Sequence, residues 1–381
     1  MRIALVLAFQ ILIASALMAQ QGGMKFTERA WKDLLAKAKT TDQIIFMDAY
    51  TTWCGPCKMM SKNVFTDKEV GDYYNANFIN VKMDMEAGEG IELASKYEVR
   101  AYPTLLFIDG DGAIVHRAVG YHEAAAFIEL GKKAKDPSSR LSGMKARFAS
   151  GDRNPEFLKT YTESLYNAMD SDFGAAADAY LATQTDWNTP ENLKFIFQYT
   201  ESADSKLFDH LLKNKAAFEQ NFGKEMVMGK VEQLIAQKVL SNEKPDLKEA
   251  DALYAKAYPE MAGKMSARFR MNYYQMTGDV DNYAKSAVAY FDKYPSSDMM
   301  ELNNVAWAFY ESVTDKELLK KAIAWSKASI KLDAQYFNSD TLAALYYKLG
   351  DKKKAKKAAL EAIEIAKKNG EDYSGTEQFL K

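Results

Sequence analysis

The stretch TTWCGPCKMM, Thr51 to Met60, holds both cysteines of a 381-residue chain. Cys54 and Cys57 are separated only by Gly55 and Pro56. A disulfide closing so small a loop removes little chain entropy, so the pair is poor as a staple. Its spacing suits redox chemistry instead. Cys54 follows a short apolar run and opens a helix, where N–H groups without intrahelical partners favour an anion. Such a setting lowers a thiol pKa, and the thiolate is the attacking species. Cys57 lies one turn later, and Pro56 stiffens that turn while lacking a donor that would be unsatisfied there. The expected cycle is attack by Cys54 on a partner disulfide, a mixed disulfide, and resolution by Cys57, which leaves the Cys54–Cys57 disulfide.

Metal binding is the competing use of two such cysteines. Thiolate zinc sites usually take four ligands, and His116, His122 and His210 form no second ligand pair. The expectation is therefore no metal, and no cofactor beyond the redox disulfide.

The elements that must position the pair are legible over residues 24–135. FTERAWKDLLAKAK puts Trp31, Leu34, Leu35 and Ala38 on one helical face, with Thr27 as the N-cap. QIIFMDAY, from Gln43 to Tyr50, is a strand leading into the cysteine turn, and a helix runs on from the turn to about Val64. A second short helix follows near Asp67 to Asn75. NFINVKMD (Asn77 to Asp84) is a buried strand and EGIELASKY (Glu89 to Tyr97) a helix. TLLFID and AIVHRAVG flank Asp109-Gly110-Asp111-Gly112, whose Asp-Gly pairs signal a hairpin. YHEAAAFIELGKKAK closes the unit as a helix. The predicted fold is an α/β sheet mixing parallel and antiparallel pairs.

WCGPCK after IIFMDAYTT, with AYPTLLF about fifty residues on, resembles the thioredoxin family. The likeness covers roughly residues 26–135. KNVFTDKEVGDYY and VRAYPTLLFIDGDG look most similar to the C-terminal thioredoxin-like domain of transmembrane disulfide reductases and their exported relatives. The resemblance implies roles residue by residue. Cys54 matches the nucleophile and Cys57 the resolving cysteine, while Asp48 matches the buried carboxylate that assists proton transfer at the resolving thiol. Pro103 matches the cis-proline facing the active site. Trp53, Gly55, Pro56, Tyr102 and Gly120 would form the substrate groove, where Tyr102 could pair with a client backbone as an added strand. Three positions depart from the pattern. Asn80 stands at the strand position expected for the family's lysine, with Lys82, two along on the same face, as a substitute. Tyr50 stands where tryptophan is common, and Tyr102 where isoleucine is common.

The remaining sequence frames this unit. Residues 1–19, MRIALVLAFQILIASALMA, read as a cleaved secretory signal; the apolar run is short for a membrane span, and a retained anchor is the alternative. No lipidation cysteine follows it, and no later segment is apolar enough to span a bilayer. An apolar fraction of 48%, a charged fraction of 27% and a net charge of −2 fit a globular protein and argue against general nucleic-acid binding. DPSSRLSG, residues 136–143, is rich in turn formers and reads as a linker. Residues 144–381 carry almost no strand pattern. MNYYQMTGDVDNYAKSAVAYFDKYP, with Gly278 at its turn and Pro295 after it, and TLAALYYKLGDKKKAKKAALEAIEIA share tetratricopeptide-like spacing, clearest over 264–369. Trp307, Tyr310 and Trp325 are expected in a core rather than at a ligand. Ala355, Ala359, Ala362 and Ala366 are expected to form the inner face of a helix whose lysines are solvated.

Together these features predict a thioredoxin-like α/β domain followed by an all-α helical-repeat domain. The expected function is an exported, periplasmic or extracellular thiol–disulfide oxidoreductase that reduces client proteins. A membrane dithiol protein would supply its electrons, and the helical domain would bind partners. A disulfide oxidase or isomerase, and a non-catalytic scaffold, are the alternatives.

Overall fold

A computed structural model of the chain describes residues 22–381; the expected export signal, residues 1–19, lies outside the described residues. The first helix, α1 (Trp31–Thr41), buries Trp31, Leu34 and Ala38. It begins later than the sequence suggested. Ala30 is its N-cap, and Thr27 instead gives its N–H to the Asn80 carbonyl at 2.9 Å. Thr27 is thus held along a strand edge, which removes it from the helix end.

There follow β1 (Ile44–Tyr50), the short α2 (Gly55–Met59), a π-helical turn (Met60–Val64), α3 (Lys68–Asn77), β2 (Phe78–Asp84), α4 (Gly90–Lys96), the hairpin β3 (Thr104–Ile108) and β4 (Ile114–Val119), and α5 (Ala124–Lys135). Asp67 caps α3 by accepting the N–H groups of Glu69 and Val70. The sheet order is β2-β1-β3-β4, with β1 parallel to β2 and antiparallel to β3, and β3 antiparallel to β4. The two inner strands are covered on both faces, which is why their sequences are nearly unbroken apolar runs.

Alternation along β1 divides the core. Ile45, Met47 and Ala49 pack with Leu34, Leu106 and Ile108 on one face. Phe46 packs on the other with Met60, Val64, Tyr74, Phe107 and Phe127. Tyr74 and Phe127 stack at 4.1 Å, and the Tyr74 hydroxyl donates to the Phe127 carbonyl at 2.7 Å. By period two, Asp48 projects on the Phe46 face, among aromatic rings.

Gly90 shows how closely α4 approaches the end of β2. A Cβ there would lie 1.8 Å from the Asp84 carbonyl oxygen. Gly90→Ala is expected to cost about 3 kcal/mol through backbone displacement, read as a lower denaturation midpoint at unchanged m-value; an unchanged midpoint would contradict this close packing.

From Leu141 onward the described chain is all-helical. Contacts divide the protein into two units, one ending at Tyr199 and the other starting at Thr200. The first unit also contains α6 (Leu141–Ala149), α7 (Pro155–Asn167), α8 (Phe173–Ala182) and α9 (Pro190–Tyr199). Residues 136–143, expected as a linker, include the opening of α6, and the Leu141 N–H donates to His116 Nδ1 on β4 at 3.1 Å. The second unit holds ten further helices among the described residues, from α10 (Lys206–Lys213) to α19 (Lys352–Asn369), and a final 3-10 turn (Thr376–Leu380). In its core Trp325 lies 5.0 Å from both Phe291 and Phe309, with Trp307 and Tyr310 half-buried against them. Ala355, Ala359, Ala362 and Ala366 are fully buried along α19. No helix among the described residues is long and apolar enough to cross a membrane.

Candidate active site

The site is built where β1 ends and α2 begins. Cys54 is the N-cap of α2, in extended backbone, and Pro56 occupies the first turn. Cys54 and Cys57 form a disulfide. The Cys57 N–H donates to Cys54 Sγ at 3.1 Å, so an unpaired helix donor already points at the sulfur that would carry charge after reduction. Both cysteines are buried, 3% and 2% exposed, whereas Gly55 and Pro56 between them are open to solvent.

Around the pair stand the other residues singled out in the sequence. Trp53 is 64% exposed yet held, its indole N–H donating to the Glu86 carboxylate at 2.9 and 3.1 Å. Its ring meets Tyr102 edge-on at 5.9 Å. Burial raises the Tyr102 phenol pKa, and Glu86 and Asp84 raise it further. The Tyr102–Pro103 peptide bond is cis. The Pro103 carbonyl accepts the Gly120 N–H at 2.8 Å, tying the start of β3 to the end of β4. Gly120 has φ +93°, a conformation that favours glycine. His122 follows it, its Nδ1 3.0 Å from the Gly120 carbonyl and its backbone N–H donating to Met60 Sδ at 3.3 Å.

Asp48, on β1 six residues before Cys54, is fully buried. Its Oδ2 accepts from Lys82 Nζ at 2.8 Å, while Oδ1 has no hydrogen-bond partner. Burial raises the carboxyl pKa, and the Lys82 charge and hydrogen bond oppose that rise. Lys82 pairs with Asp48 in the β1–β2 register, so both side chains share a face. Lys82, expected from the sequence as the substitute for the family's lysine, is thus the residue beside the carboxylate, and Asn80 is not. Asn80 is buried and donates to Asn75 Oδ1 at 3.2 Å, and the ammonium beside the carboxylate is that of Lys82. Sequence reasoning missed Ser61, whose Oγ accepts from Lys82 Nζ at 2.6 Å, and Glu86. Nothing in the sequence pointed to either: the aim of Ser61 depends on the π-helical turn, and Glu86 lies in a turn after β2.

The arrangement can exchange thiols and disulfides. Among the described residues no three His, Cys, Asp or Glu side chains gather as a metal site would need.

Comparisons with known proteins agree with this chemistry. A family profile described as a thioredoxin-like domain matches residues 31–135. The thioredoxin of Bacillus subtilis is 37% identical over 97 residues, which are 25% of this chain and 86% of that protein. Thioredoxin-2 of Saccharomyces cerevisiae is 38% identical over 84 residues, covering 22% and 74% of the two chains. The solution structure of a proposed disulphide-isomerase from Bacteroides thetaiotaomicron is 52% identical, covers 30% of this chain and 93% of that one, and has a TM-score of 0.27.

Proposed function

Because the chain belongs to the thioredoxin family through residues 31–135, we propose that this thiol–disulfide oxidoreductase reduces the disulfides of exported client proteins. The observation that carries the reading is the placement of Cys54 at the helix entry, its sulfur accepting the Cys57 N–H.

In the reduced protein, the Cys54 thiolate attacks one sulfur of a client disulfide. A Cys54–client bond forms, and the other client sulfur leaves as a thiolate that takes a proton from water. Cys57 then attacks Cys54 Sγ, giving its proton to Asp48 as the Cys57–Cys54 bond forms and the Cys54–client bond breaks. The second client sulfur leaves as a thiolate that also takes a proton from water, and Asp48 returns its proton to solvent; the client departs as a dithiol two electrons richer, and the protein holds the Cys54–Cys57 disulfide. An external dithiol must return those electrons, and a membrane-embedded donor protein suits an exported enzyme. Trp53, Gly55, Pro56, Tyr102, Pro103 and Gly120 form the groove that receives the client strand.

Export rests on the charge and apolar pattern of residues 1–19. The helical region serves as a platform for clients or the donor, in the manner of tetratricopeptide arrays. The Gly-Pro centre, shared with thioredoxins, favours reduction over disulfide formation.

Titrating the protein's disulfide against a dithiol buffer tests the direction of electron flow. A potential near about −270 mV, as in thioredoxin, supports a reductase. A value near about −120 mV, as in strong oxidants of this fold, overturns it in favour of disulfide formation.

A further inference from the structure

Asp48 has no exposed atom, and the Lys82 side chain keeps 27% of its surface in water. The contacts that hold that lysine are unusually complete. Its ammonium donates to Asp48 Oδ2 on β1 and to Ser61 Oγ in the π-helical turn. The rings of Tyr50, Phe65 and Phe26 lie 4.9, 5.0 and 5.5 Å from it. A lysine stem has four rotatable bonds and strong hydration, so an ammonium with one carboxylate partner near the surface trades that contact readily for water. Here a fixed hydroxyl takes a second N–H, and three ring faces attract the charge. The π-turn has its own part. Widening the helix from four to five residues per hydrogen bond over Met60–Val64 re-aims Ser61, and such turns recur at functional sites.

We propose that Ser61 is a positioning residue for the resolving step, holding the Lys82 ammonium against the buried Asp48 carboxylate that takes the Cys57 proton. The inference rests on the Asp48 role given above. Lys82 is the charge that acts on Asp48. The other titratable group facing this cluster is Tyr50, whose phenol is raised by burial and by Asp84 and Asp48. Without Ser61 the ammonium loses one of its two hydrogen bonds and is held less firmly, so the burial that raises the carboxyl pKa is less fully opposed. Cys57 then has a poorer proton acceptor, while the attack by Cys54 is untouched.

The test uses the full chain without residues 1–19, reduced and mixed rapidly with a small disulfide peptide. Attack and resolution are timed separately by acid quench, and the Asp48 carboxyl band is titrated by infrared difference spectroscopy. Ser61→Ala should raise the carboxyl midpoint by about one pH unit and slow resolution at pH 7 roughly tenfold, with attack unchanged. Ser61→Thr, which keeps the hydroxyl, should restore both. Lys82→Met should reproduce the Ser61→Ala defect, and the double variant should add little to it. An unchanged midpoint and resolution rate in Ser61→Ala overturn the assignment of Ser61. Asp48→Asn separates the two readings: normal resolution in that variant overturns the Asp48 role itself, whereas slow Asp48→Asn beside normal Ser61→Ala sinks the Ser61 inference alone.

Discussion

Replacing Cys57 with serine is expected to convert the protein from a catalyst into a trap. The Cys54 thiolate would still attack a client disulfide, but serine cannot break the resulting mixed disulfide, so the client stays covalently attached. Turnover should fall by about a thousandfold or more, and adducts should run as new bands on non-reducing gels that vanish with dithiothreitol. Cys54→Ser should lose the same turnover yet form no adducts. Its remaining Cys57 lies inside the first turn and lacks the N-cap position that favours the Cys54 thiolate. The contrast between the variants is the informative part. A protein whose cysteine turn is only a spacer would give no adducts from either variant and would keep its binding partners in both. That result would falsify the enzymatic reading of the site in this chain's own terms, whatever its relatives do.

The second large effect concerns acid. His116 lies on β4, 6% exposed, against the Phe107 ring at 5.9 Å. Its Nδ1 accepts the Leu141 N–H at the start of α6, so that nitrogen must be unprotonated. Burial, and secondarily the Lys133 charge, push its pKa from the ordinary 6.5 down to about 4. In the unfolded chain the same imidazole takes its proton near the ordinary value. Above that value both states are neutral and the contribution to stability is intact. As pH falls toward about 4 only the unfolded state gains the proton, and the folded state loses ground until it protonates too. The expected loss is about 3 kcal/mol between those limits. Urea unfolding at a series of pH values should show it. His116→Asn, whose side-chain oxygen can accept the same N–H, should flatten the slope in that window while staying within about 1 kcal/mol of the parent at pH 7. An equally steep slope in the asparagine variant would move the acid sensitivity elsewhere.

Much of this protein could be read from its residues because its local patterns agree with one another. The cysteine turn, the apolar run of β1, the Asp-Gly hairpin and the alternation of strand and helix all pointed to one fold, and the sheet has that mixed topology. Boundaries were less legible. Thr27 has the composition of a helix cap, but the neighbouring strand claims its N–H. Side-chain choices settled by tertiary register were harder still. Asn80 and Lys82 share a strand face, and only the pairing of β1 with β2 decides which of them meets Asp48. Ser61 was hidden for another reason. Its direction depends on a π-turn, and nothing in Met60-Ser61-Lys62-Asn63-Val64 distinguishes that from an ordinary helix. The helical region yielded its inner faces, such as the alanines of α19, because a 3.6-residue period leaves a direct trace in sequence.

Phe26 has a practical consequence. The family match begins at residue 31, and a gene fragment cut there would encode every strand of the sheet and both cysteines. It would nevertheless omit one of the three rings around the Lys82 ammonium. It would also omit the stitches by which Met24 donates to the Phe65 carbonyl and Lys25 to Asn75. Such a fragment could fold and still misreport the chemistry, so a cloning boundary for this domain must keep Gly22 and all that follows it.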